Sequence, residues 1–192
     1  MSNYYVGTTN DKLKSLLSEY KTEFDMVSRA SRDAYMRTLG AGAKVPEESR
    51  IYGEEFVDRF NGKSDELRGR ADEILNGEIE AVKVKKGEAP STDATNTIML
   101  ASVRSNVSKN DVDDLVRSYG ENYQAHRAIQ DIAEKNNYHI ADHPLIERDA
   151  DLVGLQNTMD KVLSHYNAYE GKASDGYLAM VGMQIDQVFP TA

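Results

Sequence analysis

The chain has 192 residues, 40% of them hydrophobic and 29% charged, with a formal net charge of −9 and no cysteine. The missing thiols exclude disulfides, cysteine nucleophiles and Cys-based zinc or iron–sulfur sites. The negative charge opposes binding to DNA, RNA or an anionic membrane unless basic residues are segregated, and only residues 1–45 carry more Lys and Arg than Asp and Glu, seven against five.

This balance suits thin helical layers, in which each helix buries one stripe and leaves the rest polar. No stretch approaches the ~18 apolar residues of a membrane span. MSNYYVGTTNDKLK (1–14) lacks the basic start and apolar run of a secretory signal. The expectation is a soluble, cytoplasmic protein.

The first element is a helix from about Asp11 to Leu39, capped by Thr9, Asn10 or Asp11 and closed by Gly40 and Gly42. Leu13, Leu17, Tyr20, Phe24, Val27, Ser31, Ala34 and Thr38 alternate at spacings of four and three, a coiled-coil seam. Such a helix, roughly 43 Å long, needs a partner helix from this chain or from another copy.

AGAKVPEESRIYG (41–53) reads as a linker in which Pro46 and two glutamates can open a helix. Phe56, Phe60, Leu67, Ala71, Ile74, Leu75 and Ile79 mark one or two helices, with a break expected in FNGKSDEL (60–67) and Ser64 as the second N-cap. IEAVKVKKG (79–87) alternates weakly but is read as helix, because a lone strand has no partner.

KKGEAPSTDATN (85–96) is the best internal boundary, and TIMLASVRSN (97–106) after it is a short apolar element read as helix. Ser108 caps KNDVDDLVRSY, Gly120 closes it, and ENYQAHRAIQDIAEKNN (121–137) supplies another helix. Farther on, Leu152, Leu155, Met159, Val162, Tyr166 and Tyr169 form a second seam. Ser174 caps a last helix through Leu178, Val181, Ile185 and Val188.

The densest chemistry is NNYHIADHPLIERDAD (136–151). His139 and His143 are four apart, the spacing of zinc ligands on one helix face. But Pro144 follows His143 and pushes it out of the α region, so the spacing loses that meaning. A hinge leading into the second long helix is the stronger reading, and no metal or catalytic role is assigned.

Residues 108–137 can also be read as a helix-turn-helix with Gln124, His126, Arg127 and Gln130 facing a groove, but the segment is acidic, which opposes phosphate contacts. The acidic run 47–80 is read as a solvated face, with a basic partner surface as the alternative. No nucleotide-loop, nucleophile-elbow or calcium-loop signature appears, so no cofactor is expected.

SVRSNVSKNDVDDLVRSYGENYQAHRAIQDIA (102–133) resembles uncharacterised proteins of tailed-phage and prophage head gene modules, in which a short acidic helix, a Y-G/D-N-Y turn and an Ala/Ile-rich helix occur together. The resemblance implies a phage head or virion-associated protein, located in the virion or host cytoplasm. Phage scaffolding proteins are often acidic and helical with a basic terminal helix; here GMQIDQVFPTA (182–192) is not basic, a departure from that pattern.

The expected fold is mainly α: an elongated helical bundle with long coiled-coil-like helices and a small three-helix unit. Residues 1–90 form the long helix and acidic helices, 91–147 the small unit, and 148–192 the helices that pack back. The expected function is non-enzymatic, structural or assembly, through helix–helix contacts and self-association. Its interface residues are Leu13, Leu17, Tyr20, Phe24, Val27, Leu152, Leu155, Met159, Val162, Tyr166 and Tyr169, with no membrane or direct nucleic-acid partner. The alternatives are an acidic inhibitor or adaptor on a basic surface of a host protein, mimicking nucleic acid in one form, and a metal-dependent enzyme centred on 139–151.

Overall fold

The structure is a computed structural model that describes residues 8–40, 47–166 and 173–190. It is mainly α, as expected, and no strand occurs among the described residues. The helices are α1 (Thr9–Gly40), α2 (Glu47–Gly87), α3 (Thr92–Ser102), α4 (Lys109–Tyr119), α5 (Tyr123–Lys135), α6 (Pro144–Val162) and α7 (Asp175–Val188).

The chain divides into two compact units: residues 1–76 with 154–192, and residues 77–153. Both boundaries fall inside helices, α2 and α6, whereas the sequence pointed to loops near 90 and 147. A unit is defined by which side chains pack together, and a continuous helix can contribute to two cores.

Unit 1 is built from α1, α2 up to Asn76, α6 from Gly154, and α7. Thr8 starts α1 through a reciprocal cap: its Oγ1 accepts from Asp11 N–H at 3.2 Å while the Asp11 carboxylate accepts from Thr8 N–H at 3.1 Å. Thr8 therefore does the work expected of Thr9, Asn10 or Asp11. The Asp11 carboxyl is held below its ordinary value by the Thr8 hydroxyl and N–H.

Cross-links give the helix directions. Lys14 reaches Asp186 at 2.6 Å and Lys21 lies 3.7 Å from Asp175, so α7 runs antiparallel to α1. Phe24 packs on Phe60 while Glu19 pairs with Arg70, so α2 is antiparallel to α1. Ser64 bonds Leu163 and Gln156 bonds Asp72, so α6 is antiparallel to α2. Leu13, Leu17 and Leu67, Leu75, Leu155, Met159, Val181 and Ile185 are among the buried core residues of this unit.

The break expected at 60–67 does not occur. Helix α2 continues through Gly62, Gly69 and Gly77, each costing about 1 kcal/mol relative to alanine. Buried positions 60, 64, 67, 71, 75, 79 and 82 recur at helical spacing across the whole stretch and hold it together. Ser64 is no cap: it is fully buried in mid-helix and donates its hydroxyl to the Leu163 carbonyl at 2.7 Å.

Unit 2 holds α3, α4 and α5, with the end of α2 and the start of α6. Ala94, Ile98, Val112, Leu115, Ile129 and Ile132 are among the residues that close its core. Ser91, Ser108 and Asn122 cap the three helices, Ser108 in a full capping box with Asp111.

Helix α5 ends in a Schellman motif. Tyr138 N–H bonds Ala133 C=O at 2.8 Å and Asn137 N–H bonds Glu134 C=O at 3.0 Å, with Asn137 at φ 60°. Tyr138 then packs on the core. The C-terminal end of α2 meets the start of α5: Gln124 donates to Lys86 C=O at 2.6 Å, and the cap residue Asn122 to Glu88 C=O, one residue past α2, at 3.0 Å.

Candidate functional site

The two seams meet inside unit 1. Leu13, Leu17, Tyr20, Val27, Leu155, Met159 and Val162 are buried by the chain itself. Leu152 is equally buried but belongs to unit 2. Tyr20 donates its hydroxyl to Ser164 C=O at 3.1 Å, and the half-buried Phe24 lies 5.3 Å from Tyr166 and 5.9 Å from Phe60. Tyr169 and the Thr38 side chain lie outside the described residues. These apolar side chains are occupied within one chain, so a contact with another molecule requires a different surface.

The histidine stretch assembles a cluster that the sequence did not predict. His143 is buried and its ring stands 5.2 Å from buried His126 and 5.4 Å from Tyr123. His139 is exposed in the loop 136–143. The ring nitrogens of His143 have definite tasks: Nδ1 accepts from Leu145 N–H at 3.1 Å, and Nε2 lies 3.1 Å from Glu121 C=O. A carbonyl only accepts, so Nε2 is the donor in this contact. His126 Nε2 likewise donates to Ala141 C=O at 2.9 Å.

His143 is thus the N-terminal cap of α6, with Pro144 as its first residue, the position at which proline fits a helix. Both of its nitrogens are engaged in holding backbone, which leaves no lone pair for a cation. Among the described residues no group of three or more His, Asp or Glu side chains is placed to hold a metal ion. Asp149, on the second turn of the helix, pairs with Lys86 at 2.7 Å.

The residues suited to read a nucleic-acid groove are turned to structural work. Gln124 and His126 bond backbone carbonyls of unit 2, and Gln130 reaches toward Asp142 at 3.5 Å. Arg127 remains exposed.

Along α2, successive residues rotate by roughly 100°. That puts Glu54, Glu55, Asp58, Asp65, Glu66, Asp72 and Glu73 in one sector about 120° wide, away from the buried side. Part of this charge is neutralised: Lys63 and Arg70 pair with Glu66, and Arg68 with Asp65. Glu19 on α1 receives both Lys63 at 2.7 Å and Arg70 at 3.0 Å. Burial pushes its carboxyl up, and these two cations outweigh that, leaving it below the ordinary value.

Several large apolar side chains stay exposed, Met180 and Met183 on α7 among them, and at α3 and its C-terminal cap three lie together. Ala94, Ile98 and Ala101 face the core, while Met99, Leu100 and Val103 stand 62%, 60% and 75% exposed. A groove of about 290 Å³ runs along the α4 side, with Leu100, Leu115 and Tyr119 in its lining. A second, of about 380 Å³, runs along the α5 side over Ile98, Met99, Ala128 and Ile132. A scattered exposed apolar residue is ordinary, but three adjacent ones between two grooves, one mostly apolar and one of mixed lining, mark a contact surface.

In the sequence, TIMLASVRSN is a short apolar element whose outer face carries no assigned role. The signal was there. In the eleven-residue helix, residues 94, 98 and 101 share one face, so 99 and 100 point elsewhere, and the C-cap Val103 follows them into solvent. Compared with protein-family models, curated proteins and solved structures, the chain matches none.

Proposed function

We propose that this is a non-enzymatic structural or assembly protein that works through helix–helix contacts with protein partners. The observation that carries the reading is the exposed Met99, Leu100, Val103 ridge of α3. Adjacent apolar side chains left exposed beside grooves, on a chain that buries its two seams, are a usual mark of a protein contact. The resemblance of residues 102–133 to uncharacterised proteins of phage head gene modules supports a virion as that assembly.

The test is sedimentation of assemblies from producing cells, with wild type and Leu100→Asp compared. Wild type is expected to travel with large particles or their precursors, and the variant to remain in the low-mass fractions. Wild type found wholly in the low-mass fractions, with no change on substitution, overturns the proposal.

The acidic sector of α2 favours a second reading, an adaptor that covers a basic protein surface. It predicts binding that weakens steeply with salt and on Glu55→Lys or Glu73→Lys. Binding indifferent to both removes it.

A further inference from the structure

We infer that the α3 face of unit 2 docks a single amphipathic helix from a different protein, one that carries Lys or Arg beside its apolar stripe. The inference rests on the assembly reading above and specifies the partner's chemistry.

The shape comes first. The ridge from Met99 to Val103 rises about 6 Å at 1.5 Å per residue, close to one helical turn. Grooves flank it on both sides. A helix laid along such a surface inserts side chains at i, i+3 or i+4, and i+7. The linings are suited to that: Ala101 and Leu115 on the α4 side, and Ile98, Ala128 and Ile132 on the α5 side.

Charge decides what kind of helix fits. The α4 wall presents Asp111 and Asp114, and Tyr119 at the groove holds Asp93 through a 2.6 Å hydrogen bond. Against Asp111 and Asp114 in the lining and Asp93 beside it stand Arg104 in the lining and Arg117 next to Asp114, which leaves the wall one charge negative. The α5 groove is balanced, with Asp131 and Lys135. Asp111 is kept ionised by the Ser108 hydroxyl, which holds its carboxyl below the ordinary value. Asp114 is paired with Arg117 in an i,i+3 contact in which both side chains are mostly exposed, a pair worth little in water. Its carboxylate is therefore open to a better-desolvated cation.

A second copy of this chain is a poor occupant. It would bring the same three carboxylates against these, in a chain already carrying −9. A partner helix of opposite charge does not meet that objection.

The experiment uses the full chain and a fluorescent helical peptide built of Leu and Lys in an amphipathic pattern, read by anisotropy. A Leu–Glu peptide of the same pattern and a scrambled Leu–Lys peptide serve as controls. The Leu–Lys helix is expected to bind saturably, at least ~10-fold more tightly than either control. Leu100→Asp and Asp114→Lys should each weaken it by about 10-fold or more, whereas Glu73→Lys in the other unit, with the same change in net charge, should not.

Circular dichroism confirms that Leu100→Asp, an exposed position, keeps its helix content. Equal weakening by Glu73→Lys and Asp114→Lys, or scrambled peptide binding as well as the helix, overturns the inference. If the Leu–Glu helix binds equally and Leu100→Asp abolishes both, the basic partner is refuted while the assembly reading stands. If Leu100→Asp instead halves the native mass of the chain, the occupant is a second copy and the inference fails. If Leu100→Asp alters neither peptide binding nor sedimentation in cells, both proposals fall together.

Discussion

Replacing Ser64 tests how α2 is held in unit 1. The hydroxyl is fully buried and donates to the Leu163 carbonyl at 2.7 Å. Leu163 follows the last residue of α6, where carbonyls lose their intrahelical partners. Ser64→Ala leaves that buried acceptor without this donor, a cost of about 1–3 kcal/mol. The better helix propensity of alanine returns about 0.5 kcal/mol.

The expected net loss is then about 0.5–2.5 kcal/mol. With a urea slope of about 2 kcal/mol per molar, the midpoint falls by about 0.3–1.2 M. Hydrogen exchange of the α2 and α6 amides assigns the loss to unit 1. Ser64→Asp discriminates more sharply. As an exposed N-cap, aspartate serves as well as serine; as a buried group facing a carbonyl oxygen, it sets charge against charge and costs several kcal/mol. A Ser64→Asp protein as stable as wild type, or a neutral Ser64→Ala, would refute the buried-donor account.

Three further outcomes follow from the same geometry. Gly69→Ala should raise stability by about 0.5–1 kcal/mol, because the added methyl meets nothing within 4 Å in mid-helix; a lower urea midpoint would contradict this. The folded-state carboxyl of Glu19 is depressed, so its stabilisation is full above its ordinary value of 4.5 and is lost as pH falls through the lower folded value. Urea midpoints of wild type and Glu19→Gln should therefore differ near neutrality and converge in acid, and a gap that widens on acidification would show the sign to be wrong. His143→Ala should cost about 1–3 kcal/mol by removing the cap on Leu145 N–H and the bond to Glu121 C=O. His143→Asn restores an acceptor for Leu145 and should recover part of it, measured by thermal unfolding and by exchange at the Leu145 amide. An asparagine variant as unstable as alanine would mean that the cap contributes nothing.

The sequence by itself determined the helical class and most helix ends. Those features are local: apolar residues at spacings of three and four, Ser108 and Ser174 before helices, Pro144 after His143, all act within one or two turns. It also carried both seams, since a stripe such as Leu13, Leu17, Tyr20 states a need for burial. It could not say what covers a stripe, because that depends on residues a hundred or more positions away, such as Ser164 against Tyr20.

Tertiary packing decided the rest. It carried α2 unbroken through three glycines and a serine, because a buried face running from Phe60 to Val82 outweighs weak local propensity. It moved the unit boundaries into the middle of two helices. It joined His126 to His143 and gave both rings to backbone carbonyls, which turned the densest patch of chemistry into a helix start. It also left Met99, Leu100 and Val103 outside, since a short helix packed on one side has only one face to bury.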